Sequence, residues 1–178
     1  MNPDPKQPKP GEESSLTTRD RRMKRIQEFW AVVLPLIGSE IPRWAGRSPS
    51  EAYWLHAPSE VPEAQYDLWV RQYDAGCGLT IDSRCGNPSR NKAIFDALHG
   101  KRAEIERAFG QPFEWCRLDQ GKSSVVFVVS ARGGYRSERR EWPEVASKLI
   151  AQTRRFEATF QPYLRLVGGP GSSGWSAT

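Results

Sequence analysis

NKAIFDALHGKRAEIERAFGQPFEWCRLDQGKSSVVFVV, residues 91–129, carries a helix signal, a stop and a hairpin in succession. Ile94, Phe95, Leu98, Ile105, Ala108 and Phe109 recur at helical spacing and mark one side, with Asn87 or Ser89 as the cap. Gly110 followed by Pro112 ends the helix, because glycine adopts the left-handed conformation without penalty and proline cannot continue the turn. Gly100 lies in its middle, where it costs about 1 kcal/mol relative to alanine and leaves room for close packing or a slight bend. FEWCRL and SSVVFVVSA then form a hairpin across DQGK, and the nearly continuous apolar run of the second arm places it centrally in a sheet.

Working outward, Thr18 or Asp20 can cap a first helix whose apolar positions are Ile26, Phe29, Trp30, Val33, Leu34 and Ile37. Pro35 predicts a kink or stop, and Gly38 an end. Three short strands follow: YWLHA at 53–57, YDLWVRQY at 66–73 and GLTIDSR at 78–84. The linker DAGC predicts a hairpin turn in which Gly76 supplies a positive φ. Trp142 and Pro143 open a last helix with Val145, Leu149, Ile150, Phe156 and Phe160 as its apolar positions.

The expected architecture is α+β: an antiparallel sheet of about five strands and three main helices, packed chiefly on one face, in the order α-βββ-α-ββ-α. The body spans residues 18–167, with 1–17 and 168–178 as flexible arm and tail, because the proline-rich start and the GGPGSSGWSAT end offer little surface to bury. A chain of 178 residues with 38% hydrophobic content supports one such domain with a real core. Three cysteines, Cys77, Cys85 and Cys116, do not form a disulfide framework. With no signal-peptide pattern and no run of ~20 apolar residues, the expectation is a soluble, cytoplasmic protein without membrane contact.

Enzymatic chemistry finds little purchase in the pattern. A restriction-type nuclease needs a carboxylate at one strand end and an acid-x-lysine pair on the next. Asp82 fits the first position, but Glu114-Trp115-Cys116 has no lysine; Asp67 and Asp82 could share a metal only across their hairpin. Zinc would require Cys77, Cys85, His56 and His99 to converge without the usual short ligand spacing. No phosphate-loop spacing occurs. The expectation is therefore no catalytic residue, no metal site and no cofactor.

A formal charge of +5 permits an acidic partner, and its placement is informative. ARGGYRSERR, 131–140, holds Arg132, Arg136, Arg139 and Arg140 around Tyr135, with glycines that let backbone approach a phosphate and a ring on which a base can stack. RDRRMKR, 19–25, puts Arg21, Arg22, Lys24 and Arg25 at a helix start, where the macrodipole disfavours cations. The plain alternative is a solvated loop, with Arg139 and Arg140 paired to Glu138 or Glu141, and a helix start that is merely cation-rich.

Asn91-Lys92, Phe95-Asp96-x-Leu98, Ile105-Glu106-x-x-Phe109-Gly110 and Glu114-Trp115-x-Arg117-Leu118 resemble the recurring pattern of a prokaryotic family of domains of unknown function. The similarity runs over roughly 22–165 and is sharpest at 91–118. It implies a domain that often stands C-terminal to a restriction-endonuclease-like region, in settings of defence or DNA metabolism; it assigns no catalytic residue. Together these readings predict a non-enzymatic accessory module whose basic rim binds DNA or RNA, or a nucleic-acid-processing protein. The rival is a protein-interaction module, an inhibitor or complex subunit, anchored by Trp44, Trp54, Trp69 or Trp175. A metal-dependent nuclease-like enzyme built on Asp67 and Asp82 stands third.

Overall fold

A computed structural model describes residues 17–82 and 87–168. Helix α1 (Thr18–Glu40) leads through a short 3-10 turn at Pro42–Trp44 into strands β1 (Trp54–Pro58), β2 (Ala64–Val70) and β3 (Asp74–Ile81). Helices α2 (Pro88–Gly100) and α3 (Arg102–Phe109), strands β4 (Glu114–Cys116) and β5 (Ser124–Arg132), a second 3-10 turn and helix α4 (Trp142–Gly168) complete the order. All pairings are antiparallel and the sheet order is β1-β2-β3-β5-β4. The α+β class and the internal position of β5 agree with the sequence reading.

Four helices stand where three were expected, because the middle helix breaks at Lys101, whose backbone leaves the helical region beside the mid-helix glycine. The buried stripe of short α3 narrows to Ile105 and Phe109, and Ala108 is exposed. Helix α1 continues through Pro35 to Glu40 rather than stopping. Its cap is Thr17, one residue before the expected candidates: the hydroxyl accepts from the Asp20 N–H at 3.2 Å and the Asp20 carboxylate accepts from the Thr17 N–H at 3.0 Å.

Alternation fixes the two faces of the sheet. Tyr66, Leu68 and Val70 of β2, Cys77, Leu79 and Ile81 of β3, and Val126 and Val128 of β5 join one core with the apolar stripes of all four helices. Trp54, Trp69 and Phe127 belong to the opposite face and lie outside that core. Trp69 is nevertheless buried, because its ring lies against Gly76 of β3. The β2–β3 turn accordingly falls at Arg71–Asp74, closed by a 2.8 Å bond from the Arg71 N–H to the Asp74 carbonyl. Gly76 is not a positive-φ turn residue but an extended position in mid-strand, paired with Trp69 and Val129.

The resemblance-bearing stretch clamps the β4–β5 hairpin to the helices. Lys92 Nζ donates to the carbonyls of Leu118 at 2.9 Å and Ser123 at 2.7 Å, and also to that of Arg117. Asn91 donates to the Lys122 carbonyl at 3.0 Å. Asp96 pairs with Arg117, at 2.8 and 3.0 Å in a bidentate bridge. Glu106 Oε1 accepts from Phe113 N at 3.0 Å, Trp115 Nε1 at 2.9 Å and Arg102 Nε at 3.0 Å.

Two tests follow from these positions. A Cβ at Gly76 would overlap the Val128 carbonyl oxygen and the Trp69 ring, whereas at Gly100 it would meet nothing. Gly76→Ala should therefore cost about 3 kcal/mol or prevent folding, while Gly100→Ala should be stabilising by about 0.4–1 kcal/mol in a urea titration. At Glu106, partial burial opposes ionisation, but the Phe113 N–H, the Trp115 indole and Arg102 together hold the carboxyl below its usual range. Its contribution to stability is thus present above about pH 4.5 and lost as pH falls through the lower folded-state value. Glu106→Gln, which keeps the acceptor oxygen, should flatten that acid dependence; Glu106→Ala should cost about 1–3 kcal/mol at neutral pH by stranding the two N–H donors.

Candidate nucleic-acid interface

The two basic segments, more than a hundred residues apart in sequence, meet at one edge of the molecule. Arg25 on α1 makes the junction: Nε donates to the Tyr135 carbonyl at 2.9 Å, a terminal nitrogen donates to the Ser137 carbonyl at 3.1 Å, and the guanidinium lies 4.6 Å from the Trp142 ring. The loop carrying Tyr135 and Ser137 also packs on the β2–β3 turn. Gly133, Tyr135 and Arg136 donate their N–H groups to the carbonyls of Tyr73, Arg71 and Gln72 at 2.7, 3.1 and 3.0 Å.

That docking sets the glycine pair. Gly133 has φ of 107°, a backbone conformation that L side chains rarely adopt. A Cβ at Gly134 would overlap the Arg71 carbonyl oxygen. The glycines therefore bring loop and turn together and do not open the backbone to a phosphate. Every N–H from Gly133 to Ser137 has an internal acceptor, with Gly134 bonding Ser137 Oγ and Ser137 bonding the Gly134 carbonyl, each at 3.0 Å. Anion recognition at this edge falls to side chains.

Thr18, Arg21, Arg22, Arg25, Tyr135 and Arg136 line a cavity of about 310 Å³. Arg22 and Tyr135 continue into a second, of about 470 Å³, together with Tyr53, Arg71, Gln72, Tyr73 and Asp74. Arg22 lies 5.7 Å from the Tyr53 ring, whose centroid is 6.0 Å from that of Tyr135. Arg22 and Arg136 are exposed, with no carboxylate partner among the described residues. The result is a continuous, cation-rich groove around the start of α1.

The other predicted residues divide. Arg139 bridges Glu28 at 2.6 Å, not Glu138 or Glu141, and sits 5.7 Å from the Trp142 ring. Like Arg25, it is committed to internal contacts. Arg132 is exposed at the end of β5, Arg140 is exposed in the second 3-10 turn, and Lys24 is exposed on α1. Tyr135 departs most from expectation: its residue exposure is 2%, so it builds the groove wall instead of offering a free stacking surface. Burial, with Tyr53 alongside, raises its phenol above the ordinary value and keeps it neutral.

In the sequence pattern Arg71, Tyr53 and Tyr73 are ordinary strand positions, with no local sign of their place in the groove. The turn at Arg71–Asp74 brings Arg71 and Tyr73 beside the neighbouring loop. Arg71 also reaches the uncovered sheet face, with its guanidinium 4.7 Å from the Trp69 ring and bonds of 2.8 and 2.5 Å to Asp74.

The acidic pair expected of a nuclease is not formed. Asp67 is fully buried, accepting from Thr80 Oγ1 at 2.6 Å and sharing a 2.6 Å bond with His56 Nδ1. Burial raises its carboxyl, against the lowering effect of both partners. Its register partner is Gly78, so Asp82 lies four residues further along the strand, roughly 13 Å away. Among the described residues no group of three His, Cys, Asp or Glu side chains could hold a metal. His99 packs against Phe95 and Trp115, far from the His56 cluster in the fold, and Cys85 lies outside the described residues.

The remaining cysteines differ in setting. Burial pushes the Cys77 thiol up to about 12, which leaves it an inert member of the core, while Cys116 is half-buried. Of the tryptophans proposed as partner anchors, Trp44 and Trp69 are buried, Trp54 is partly exposed and Trp175 lies outside the described residues. Among the described residues no helix is long and apolar enough to cross a membrane. Comparisons with curated proteins and with solved structures gave no match. Residues 26–164 match the family model "Domain of unknown function (DUF4268)", and because that match spans most of its length the chain belongs to this family.

Proposed function

We propose that the protein is a non-enzymatic accessory module that binds nucleic acid through the groove between the start of α1 and residues 133–137. The observation that carries this reading is that Arg22 and Arg136, exposed and without a carboxylate partner among the described residues, share one cavity with Arg21 and Arg25. Gathering like charges costs electrostatic free energy that a folded domain need not incur, and a polyanion is the ligand that offsets it. Arginine adds planar donors matched to phosphate oxygens. With no backbone N–H nest at the loop, affinity would come from side-chain contacts to phosphates, with little dependence on base sequence.

A role in DNA metabolism or phage defence accords with the settings implied by the resemblance of residues 91–118, and a nucleic-acid-processing protein is the natural companion of such a module. For the protein-interaction alternative, Trp54 is the partly exposed anchor among the described residues.

Fluorescence anisotropy with labelled oligonucleotides at rising salt tests the proposal. Binding should weaken with salt, and the double variant Arg22→Ala, Arg136→Ala should lower the slope of log K against log salt by roughly one to two units. Lys148→Ala, which breaks only a helical pair with Glu144 on α4, should leave binding unchanged. No binding at low ionic strength by the folded protein would refute it.

A further inference from the structure

The helices cover one face of the sheet, and the other face is not a neutral exterior. It carries Trp54, Trp69 and Phe127 with ring centroids 6.0–6.1 Å apart. Trp54 and Phe127 are partly exposed, and Val129 beside them is 45% exposed. A solvated face of an antiparallel sheet ordinarily alternates to polar residues. Here the centre is aromatic, and the carboxylate within it, Asp67, is buried beneath its bonds to His56 and Thr80.

This face meets the cationic groove at Arg71, which lines the groove while its guanidinium, bonded to Asp74, lies over Trp69. A ligand passing from one surface to the other therefore meets cations first and aromatic rings next.

We infer that the occupant is a single strand of nucleic acid, held by its phosphates in the groove near Arg22 and Arg136 and by unpaired bases against Trp54 and Phe127. Base pairing hides the flat surfaces of bases inside a duplex, so a ring-bearing sheet can engage only splayed or single-stranded ones. An aromatic platform beside a cationic track fits that polymer better than it fits a duplex, which would use the arginines alone. The inference rests on the proposed nucleic-acid binding and adds the form of nucleic acid recognised.

Competition between an oligothymidylate strand and a duplex of equal length, followed by anisotropy, is the first measurement. The expected result is preference for the single strand, with Trp54→Leu and Phe127→Leu each weakening it roughly tenfold while leaving duplex binding unchanged. Circular dichroism checks that each variant is folded. Ultraviolet cross-linking of the unaltered protein to the same strand, mapped by mass spectrometry, decides independently of any variant's stability. Cross-links at Trp54 or Phe127 support the inference; cross-links confined to α1 and residues 133–137 overturn it. Equal affinity for duplex and single strand, with no effect of either leucine variant, would sink the sheet-face site and leave the groove standing. Absence of all binding would remove both. Concentration-dependent self-association abolished by Trp54→Leu would assign the face to a second copy of this chain and overturn the inference.

Discussion

The cationic edge depends on the absence of one side-chain carbon, at Gly134. The loop after β5 can lie against the β2–β3 turn because nothing projects from this position toward the Arg71 carbonyl oxygen. Three backbone bonds then lock the two segments together, Trp142 donates to the Gly134 carbonyl at 3.2 Å, and Arg25 ties the same loop to α1. Groove walls drawn from α1, the turn and the loop acquire fixed relative positions only through this contact. A basic loop that could have been a loosely solvated connection becomes part of a defined surface.

The most patterned stretch of the chain serves a different end. Asn91, Lys92, Asp96, Glu106, Trp115 and Arg117 attach the β4–β5 hairpin to α2 and α3 by hydrogen bonds and ion pairs. Lys92 in particular satisfies hairpin carbonyls that lack sheet partners, and Glu106 gathers donors from the segment after α3. These residues are polar, yet their roles are architectural. Strong patterning in 91–118 thus identifies how the platform is held together, while the cation-rich groove is assembled from parts whose individual sequences are much less distinctive.

The helices were legible because their apolar spacing reports a local, periodic property. All six expected positions of α1, from Ile26 to Ile37, are buried. Gly110 ends α3 with φ of 86°, as its sequence context implied. The β2–β3 turn was not legible because glycine has two unrelated uses, and Gly76 serves the one that sequence does not announce: making space for a ring from a neighbouring strand. Tyr135 and Arg25, both candidates by sequence, take internal roles for a related reason. Both are polar-bearing residues in cation-rich segments, but tertiary contacts bury the first and commit the second to carbonyl groups. Composition located the cationic edge; which members build it and which face outward required long-range contacts.

Occupied amides in the 133–137 loop have a consequence for motion along a polymer. Fixed backbone donors would demand one phosphate position, as a socket does. Long guanidinium arms can release one oxygen and take the next, so neighbouring positions on a uniform strand would differ little in free energy. On the proposed reading, such a surface favours travel along a polyanion over arrest at a single address.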